Sequence, residues 1–410
     1  MEGRPPRREL AIPIEAGEVR HVSAMRPARR YYIDGLRVLA VLLLVPFHAA
    51  RVFDFEPFHI QNAQLSGALD SFVGFVSIWH MKLFFMLAGA GAFYALSFRS
   101  GVEFARERFL RLFVPLVAGI LIVIPPQVYV ERISSFVATR ISPVNFSGSY
   151  AEFYPEFFRC CYPQANLSYH HLWFLFYLFV FSLVGIPLFR KLLSPPGEAL
   201  RGRIAGFLGR GRNIFIPVVP LLVIELALRP FFPYWQDFIH DWANNAHFMT
   251  VFVYGFLAVS DELLGEATDR NWPAALAAAT VLSLALLMIS LYVQKSGPMR
   301  MFNLALYVCA EWCWLVALWG AGRKTLNGRN RFISYFSGIA LPFYIVHQTV
   351  IVVLAYFVVR LDAGVAGKYA LIVAGAGCAS VLLCEAVKRT PFTRILFGMP
   401  WRGRFAQRPS

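Results

Sequence analysis

The chain has 410 residues, of which 58% are hydrophobic and only 15% are charged. A soluble domain of this size does not need so much apolar surface, so the composition excludes a soluble globular protein and predicts a polytopic membrane protein. A net charge of +15 is also found in nucleic-acid-binding proteins, but here the basic residues cluster in the tails and in short loops between apolar runs, which is the pattern of membrane proteins and argues against nucleic acid.

The first thirty residues are polar and basic and contain no apolar stretch ahead of a cleavage site, so we predict a loose cytoplasmic tail at 1–30 rather than a signal peptide. The apolar runs that follow have the length of membrane spans, roughly 17 to 25 residues. They predict an all-α polytopic bundle of about ten transmembrane helices over 31–390, followed by a basic cytoplasmic tail at 391–410. The predicted spans are 33–53, 71–97, 112–130, 171–189, 214–230, 246–260, 273–293, 301–321, 334–359 and 368–387.

An even number of spans places both termini on one side of the membrane. With that side cytoplasmic, 28 of the 39 lysine and arginine residues lie in cytoplasmic tails and loops. The positive-inside rule therefore predicts that both termini are cytoplasmic. The sixth span is short and the predicted loop at 260–272 is acidic, so this crossing is the least well defined.

The first predicted span, YIDGLRVLAVLLLVPFHAARVF, contains two ionisable side chains, Arg37 and His48. A charged side chain in hydrocarbon costs at least ~2.5 kcal/mol, so it usually faces a protein interior and has a function there. Eleven residues at ~100° each return close to the starting direction, which places both side chains on one helix face, about 16 Å apart along the axis. Alternatively, Arg37 extends to the lipid headgroups and a backbone carbonyl satisfies His48.

Four histidines are predicted to lie in the outer half of the membrane. The helical rise places His48 about 22 Å, His347 about 19 Å and His80 about 16 Å above the inner end of a ~30 Å slab. His171 opens the fourth span at the outer surface. The inner end is marked by three arginines, Arg37, Arg108 and Arg111. Several histidines at similar depth above an inner end rich in arginine predict a functional cavity.

The outer connection at 131–170 is long and rich in aromatic residues: Phe146, Tyr150, Phe153, Tyr154, Phe157, Phe158 and Tyr162. These residues form either an interfacial belt or a platform on which a sugar ring stacks. The connection also contains Cys160 and Cys161. Because no cysteine occurs in a CxxC or Cys/His spacing, the sequence predicts no metal site.

Arginine at the inner surface suits the phosphates of a cytosolic donor, which it binds through bidentate, charge-assisted hydrogen bonds. A neutral histidine can act as a general base on a hydroxyl near pH 7. The separation of Arg37 from His48 is comparable with the length of a pantetheine arm. We therefore expect an acyl-CoA donor whose headgroup stays inside while its thioester meets an acceptor outside. No permanently bound cofactor is expected.

The same residues resemble the acyltransferase-3 family of integral membrane acyltransferases. The ArgX10His pattern of Arg37 and His48 looks like the first-helix signature of that family. Four further segments resemble its other landmarks, in the family's order: HMKLFF from His80, RFLRL from Arg108, HLWFL from His171 and FYIVH ending at His347. The likeness covers nearly the whole chain beyond the basic tail. Within the family it is greatest to the group that modifies osmoregulated periplasmic glucans with succinyl groups.

The resemblance implies a ten-helix bundle in a bacterial inner membrane that transfers an acetyl or succinyl group to a hydroxyl of an extracytoplasmic glycan or related acceptor. By position, it gives the role of general base to His48, with Arg37 as its partner. The expected catalytic residues are His48, Arg37, His347 and His171. The expected donor-binding residues are Arg37, Arg108, Arg111, His80 and Lys82. Beyond the donor and the acceptor, we expect membrane lipids as partners.

Two departures from the family pattern leave the donor and acceptor open. Lys82 stands where family members often have proline, and this extra cation could disfavour protonation of His80 or bind an acidic acyl group. The spacing from Arg111 to Pro115 is one residue longer than in the common Arg-Ile-X-Pro form.

Two other functional classes compete with acyl transfer. A proton-coupled transporter or flippase would use the same embedded residues as a path, without covalent chemistry. The sequence has no matching pair of helices broken by glycine or proline in its two halves, which argues against this class. A non-catalytic membrane scaffold would have no use for ionisable residues within spans.

Overall fold

The computed structural model describes residues 30–134, 145–232, 237–292 and 297–400. All regular secondary structure in these ranges is helical, which confirms the predicted all-α class. In the same ranges, seven helices are long and apolar enough to cross a membrane, or up to nine spans exist if each of two bent helix pairs counts as one. The prediction of about ten spans is roughly consistent with this number. The predicted tail at 1–30 lies outside the described residues except for its last residue.

The described helices are α1 (Tyr31–Ala50), α2 (Gly67–Leu96), α3 (Gly101–Ile133), α4 (Tyr150–Glu156), α5 (Trp173–Val184), α6 (Ile186–Leu192), α7 (Pro195–Leu208), α8 (Val218–Leu228), α9 (Trp242–Ala258), α10 (Glu262–Tyr292), α11 (Gly297–Thr325), α12 (Arg331–Val358), α13 (Val365–Val387) and α14 (Pro391–Leu396). A single 3-10 turn, His170–Leu172, precedes α5. A second such turn, Asn213–Phe215, precedes α8.

The predicted span 171–189 corresponds to a bent helix pair, and the predicted span 214–230 corresponds to the second member of another such pair. The segment ending in α5 continues into α6 with a bend of 52°, and α7 is followed by the segment containing α8 at 113°. Gly185 separates α5 from α6, with Pro187 in the first turn of α6, and proline cannot donate a backbone hydrogen bond to the preceding turn. The predicted sixth span corresponds to α9, which has 17 residues and is therefore near the lower limit of a spanning helix.

The prediction of a loop at 260–272 was wrong, because α10 begins at Glu262. Asp261 accepts a hydrogen bond from the backbone N–H of Leu263 and so satisfies a free donor at the helix start. The acidic residues that suggested a loop instead pair with α11. Arg323 contacts Glu262 at 2.7 Å and Asp269 at 3.0 Å. The acidic side chains of this segment therefore lie on α10, and two of them pair with Arg323 of α11.

The helices closest to the centre of the bundle are those that carry the predicted histidines. In its apolar span, α12 buries 72% of its residues and α2 buries 67%, against 11% in α10. The contact between α2 and α9 depends on two glycines. A Cβ on Gly89 would lie 1.9 Å from the carbonyl oxygen of Phe252, and one on Gly255 would lie 1.9 Å from that of Met86. Only glycine allows the two backbones to approach so closely.

The first part of the predicted C-terminal tail is folded against α3. Gly398 has φ 69°, a left-handed conformation that favours glycine. A Cβ at this position would lie 3.0 Å from the carbonyl oxygen of Arg111 and 3.0 Å from Pro115. The segment 391–400 therefore packs beside the RFLRL motif, and 401–410 lies outside the described residues.

Candidate functional site

A cavity of about 630 Å³ lies between α1, α2, α12 and the segment that leads into α5. Five of the nine histidines line it: His48, His59, His80, His170 and His171. Three of these were predicted from depth and motif, whereas His59 and His170 were not. His347, the fourth predicted histidine, is fully buried behind the cavity wall.

His48 and His347 form a direct pair between α1 and α12. The Nδ1 atom of His48 lies 3.2 Å from Nε2 of His347, and the ring centroids are 4.9 Å apart. Nδ1 of His347 lies 2.7 Å from the carbonyl oxygen of Tyr344, and Nδ1 of His48 lies 3.1 Å from that of Leu44. The sequence prediction that these two histidines lie at a similar depth agrees with this contact.

The acceptors around this pair assign the tautomers of the two neutral rings. A carbonyl oxygen only accepts, so Nδ1–H of His347 donates to Tyr344, and Nε2 of His347 carries a lone pair. That lone pair accepts from Nδ1–H of His48, which also points to the carbonyl of Leu44. Nε2 of His48 is therefore the nitrogen with the free lone pair, on a ring that lines the cavity. The alternative to a catalytic role was that a backbone carbonyl satisfies His48. Such a contact exists, with Leu44, but it engages Nδ1 and leaves Nε2 as the basic nitrogen.

The other two predicted histidines are also fixed by backbone carbonyls. Nε2–H of His171 donates to the carbonyl oxygen of Ile345 at 2.9 Å, and its ring lies 5.4 Å from that of His347. The hydroxyl of Tyr344 donates in turn to the carbonyl of His171. Nε2–H of His80 donates to the carbonyl of Ala40 at 2.7 Å. These bonds tie α2 to α1, and the start of α5 to α12, around the cavity.

Lys82 lines the cavity on the same helix as His80, as predicted, but its ammonium group is held by protein partners. Nζ donates to the carbonyl of Ser77 at 3.0 Å and lies 3.0 Å from the hydroxyl of Tyr307. Glu311 lies 3.6 Å away. A role for Lys82 toward the acyl group stays a prediction.

From Glu311 a chain of buried ionic contacts leads away from the cavity. Glu311 contacts His247 at 2.6 Å, and His247 contacts Glu225 at 3.0 Å. Arg229 then joins Glu225 at 2.8 Å to Asp241 at 3.0 Å. Opposite charges alternate along the chain, which offsets part of the cost of burying them. We call these residues, together with Lys82, the buried ionic chain.

The three predicted arginines are grouped at the other end of the spans. Arg108 stacks over the ring of Phe104 at 4.5 Å, and the charges of Arg111 and Arg37 both act on it. Arg111 pairs with Glu107 at 3.2 Å and Arg37 pairs with Asp34 at 3.1 Å. About half of the Arg111 side chain is exposed. The arrangement concentrates positive charge at this end of the bundle.

The extra residue between Arg111 and Pro115 has a structural counterpart. Helix α3 contains a π-helical segment at Phe109–Phe113, and a second one at Gly119–Val123. A π turn closes i→i+5 hydrogen bonds and so takes up one more residue than an α turn. The inserted residue is therefore absorbed within α3, and the helix continues beyond it. Segments of this kind frequently mark functional sites.

The part of the cavity around His59 contains a group of polar contacts that the sequence did not predict. His59 contacts Glu131 through Nδ1, and its Nε2 lies 3.0 Å from Nε2 of Gln127 and 3.3 Å from that of Gln348. Glu131 also accepts from Arg132 at 2.8 Å. His59 lies in the connection after α1, where depth arithmetic does not apply. The adjacent Glu131 and Arg132 at the end of α3 were the available signal.

Two loop groups near this part of the cavity have shifted pKa values. Burial raises the pKa of Asp54 from 3.8 to about 7, although Arg51 lies 2.5 Å from it and opposes the shift. Burial and the nearby Glu131 raise the pKa of Tyr162, whose hydroxyl lies 3.2 Å from that carboxylate. Both Arg51 and Tyr162 line the cavity. The aromatic connection before α5 therefore contributes at least Tyr162 to the cavity wall.

Comparison with known proteins gives one family and a set of relatives. A family profile described as an acyltransferase domain matches residues 30–388. Proteins named glucans biosynthesis protein C from Salmonella paratyphi A and Salmonella agona are 24% identical to this chain over 394 residues, covering 92% of this chain and 96% of theirs. The protein of that name from Salmonella dublin is 24% identical over 395 residues. No solved structure matches. Within the described ranges, no group of three or more His, Cys, Asp or Glu residues could hold a metal ion.

Proposed function

The chain belongs to the acyltransferase-3 family, and we propose that it is a membrane O-acyltransferase that moves an acetyl or succinyl group from cytosolic acyl-CoA to a hydroxyl of an extracytoplasmic glycan. Acyl transfer by a multi-pass membrane protein follows from the family match and the apolar helices. The donor, the acceptor and the roles of individual residues belong to the proposal.

The observation that carries the proposal is the set of hydrogen-bond contacts made by Nδ1 of His48. Because Nδ1 of His48 is engaged by Leu44 and His347, Nε2 is the basic nitrogen of a ring that lines the cavity. An acceptor hydroxyl within hydrogen-bond reach of this nitrogen gives up its proton there. His347 holds the ring in this tautomer, in the way that a third group orients the base of a catalytic triad.

The reaction is a direct transfer. As the hydroxyl proton moves to Nε2 of His48, the hydroxyl oxygen attacks the thioester carbon. The carbon–sulfur bond then breaks, and the leaving thiolate takes the proton back from His48. Ester and free thiol are the products, with no net change in protons. His171 and His80, fixed by carbonyls of α12 and α1, shape the wall around the reacting groups.

The donor approaches from the end of the bundle at which the arginines gather. We propose that Arg108, Arg111 and Arg37 bind its phosphates, with the pantetheine arm following α1 toward His48. Arginine pairs with phosphate through two parallel hydrogen bonds, which suits this role. The half-exposed Arg111 is available to a ligand from solution at the cost of a surface ion pair with Glu107.

The relatives are named for the biosynthesis of glucans, and we propose a glucan as the acceptor. In this proposal the protein lies in a bacterial inner membrane with both termini in the cytoplasm, so that the histidine end of the cavity faces the glucan. A test of this orientation labels single cysteines at positions 150 and 200, in a variant without the native cysteines, from outside intact cells. Labelling at 150 alone supports the orientation, and labelling at both positions refutes it.

The decisive experiment uses the purified protein in detergent, with no membrane and no gradient. Radiolabelled acetyl-CoA or succinyl-CoA is supplied with a neutral glucan, and the products are resolved by mass spectrometry. We expect a glucan ester and an equal amount of free CoA. Absence of both glucan ester and acyl-CoA turnover with either donor, from protein that is folded, would refute the proposal.

A second candidate function, proton-coupled transport, is favoured by the buried ionic chain. Glu311, His247 and Glu225 connect Lys82, which lines the cavity, to the region between α8 and α9. A transporter needs such groups at membrane depth. The same detergent experiment separates the two functions, because transport has no measurable product without two compartments, whereas acyl transfer has.

A further inference from the structure

His170 is a cavity histidine for which the proposed reaction has no role. It lines the cavity beside His171, yet the two neighbouring rings face different groups. His171 lies against His347, at 5.4 Å between ring centroids. His170 instead lies 4.6 Å from the ring of Tyr162 and 5.0 Å from that of His59. His171 and His170 are adjacent in the chain, but His171 contacts His347 whereas His170 contacts the group around His59.

The backbone at His170 has an unfavourable conformation, and in this conformation the rings of His170 and His171 face different groups. Its φ is 41°, in the left-handed region, where a residue with a Cβ costs of order 1 kcal/mol or more. Its N–H donates to the hydroxyl of Ser168 at 3.1 Å, and the following carbonyl, that of His171, accepts from Tyr344. The surrounding contacts thus maintain a strained residue in the wall of the cavity. Strain of this kind clusters at binding and catalytic sites.

The ring of His170 is also incompletely satisfied. Its Nε2 atom is buried and has no hydrogen-bond partner among the residues that the structure describes. The neighbouring His59, in contrast, uses both ring nitrogens, toward Glu131 on one side and toward Gln127 and Gln348 on the other. Leaving this nitrogen unpaired costs about 1–3 kcal/mol, which a hydroxyl of a molecule in the cavity would offset.

We propose that His170 binds the acceptor through a hydroxyl adjacent to the one that is acylated. This inference rests on the proposed function and specifies its acceptor as a molecule with neighbouring hydroxyls, such as a sugar. His48 takes the proton from one hydroxyl of the pair, and Nε2 of His170 holds the other. The ring of Tyr162 flanks the second position and limits where the acceptor lies. His170 is then a residue that determines acceptor specificity.

The His59 group keeps His170 in place. His59 is fixed by Glu131, which Arg132 and the hydroxyl of Tyr162 also contact. The rings of His59 and Tyr162 meet the ring of His170 at 61° and 71°, so they confine it edge to face. Gln348, which lies beside His59, directly follows His347 in α12. Through this connection the acceptor-binding and base-orienting histidines keep a fixed relative position.

The test compares His170→Gln with His170→Leu. Both residues carry a Cβ and meet the same backbone strain, but only the glutamine amide can place a polar nitrogen near the position of Nε2. The purified protein is assayed with acetyl-CoA and a neutral glucose oligosaccharide. For His170→Leu we expect the KM for the oligosaccharide to rise on the order of tenfold, the loss of one hydrogen bond, with donor Kd and acyl-CoA hydrolysis by water unchanged. His170→Gln should recover most of that loss.

Further variants keep the outcome interpretable. His170→Gly removes both ring and strain, so it should fold at least as well as the parent protein and still show the raised KM. Exposed His240 provides a control, His240→Gln, without effect. An unchanged oligosaccharide KM in His170→Leu and His170→Gly overturns the inference, as does an equal loss in the Gln and Leu variants. Failure of the parent protein to acylate any oligosaccharide would instead refute the proposed function.

Discussion

Charged and polar side chains are held in different ways at the two ends of the bundle. At the histidine end, carbonyl oxygens of neighbouring turns and helices fix the ring nitrogens of four residues, His48, His80, His171 and His347. At the arginine end, Arg111 and Arg37 are partly exposed and pair with carboxylates four and three residues away on their own helix. A general base needs a geometry fixed to within a fraction of an ångström, whereas attraction of a phosphate tolerates movement of a flexible side chain. The difference matches the proposed chemistry at one end and the proposed donor binding at the other.

The largest effect should come from the base itself. His48→Ala removes the nitrogen to which the acceptor proton moves, so we expect the single-turnover rate of acyl transfer to fall about 10²–10⁴-fold. Acyl-CoA binding should persist, because the arginine end is untouched. Rapid-quench measurement of the chemical step, together with a direct binding assay, checks both halves. A near-normal rate would remove His48 from the chemistry, and a trapped acyl-enzyme would replace direct transfer by a two-step mechanism.

The next largest effect should be confined to the donor. Arg111→Ala should weaken acyl-CoA binding by about 1.5–3 kcal/mol for each charge-assisted hydrogen bond to phosphate that it removes, which is on the order of tenfold to a hundredfold in Kd. Isothermal titration with acyl-CoA measures this. The matched control is Arg106→Ala, which removes the same charge from an exposed position of the same helix. If both variants bind the donor as the parent protein does, the RFLRL arginines serve only the positive-inside bias.

The contrast between the two ends also explains what the sequence could predict. Four histidines and three arginines were found because helical rise and rotation are regular, so depth and face follow from residue number within a span. His59 was missed because it lies in a connection, where this arithmetic fails, and His170 was missed because the HLWFL motif begins at the next residue, His171. The partners of Lys82 were missed for another reason. Tyr307 and Glu311 lie on a helix more than 200 residues away, and only tertiary packing brings them together.

Helix ends were less predictable than helix existence. The acidic segment before 273 was assigned to a loop because polar residues weaken an apolar run, yet Asp261 caps α10 there and Arg323 neutralises its acidic face. The family likeness was sound because its motifs cover the buried helices α1, α2 and α12. The added residue before Pro115 could be read from the sequence as an insertion, but its accommodation as a π turn required the structure.

A smaller effect should follow from loosening the fixed end without removing the base. His347→Ala deletes the acceptor for Nδ1–H of His48 but leaves the bond to Leu44. One hydrogen bond contributes about 0.5–1.5 kcal/mol, so the chemical step should slow by up to about tenfold. His347→Gln, whose amide can still meet His48, should lose less. A loss in His347→Ala as large as that in His48→Ala would mean that His347 takes part in proton transfer and does not only orient the base.

The smallest effect should come from salt, which acts on one end only. The Debye length shortens from ~10 Å at 0.1 M to ~3 Å at 1 M, so exposed charges lose most of their reach while buried ones are little screened. Raising salt over this range should weaken donor binding by on the order of threefold, and the rate at saturating donor should not change. In Arg111→Ala the salt dependence should be shallower, because one exposed cation is missing. If the saturated rate falls with salt while donor affinity stays constant, the exposed charges act on the chemistry, and the division between a fixed catalytic end and a flexible binding end does not hold.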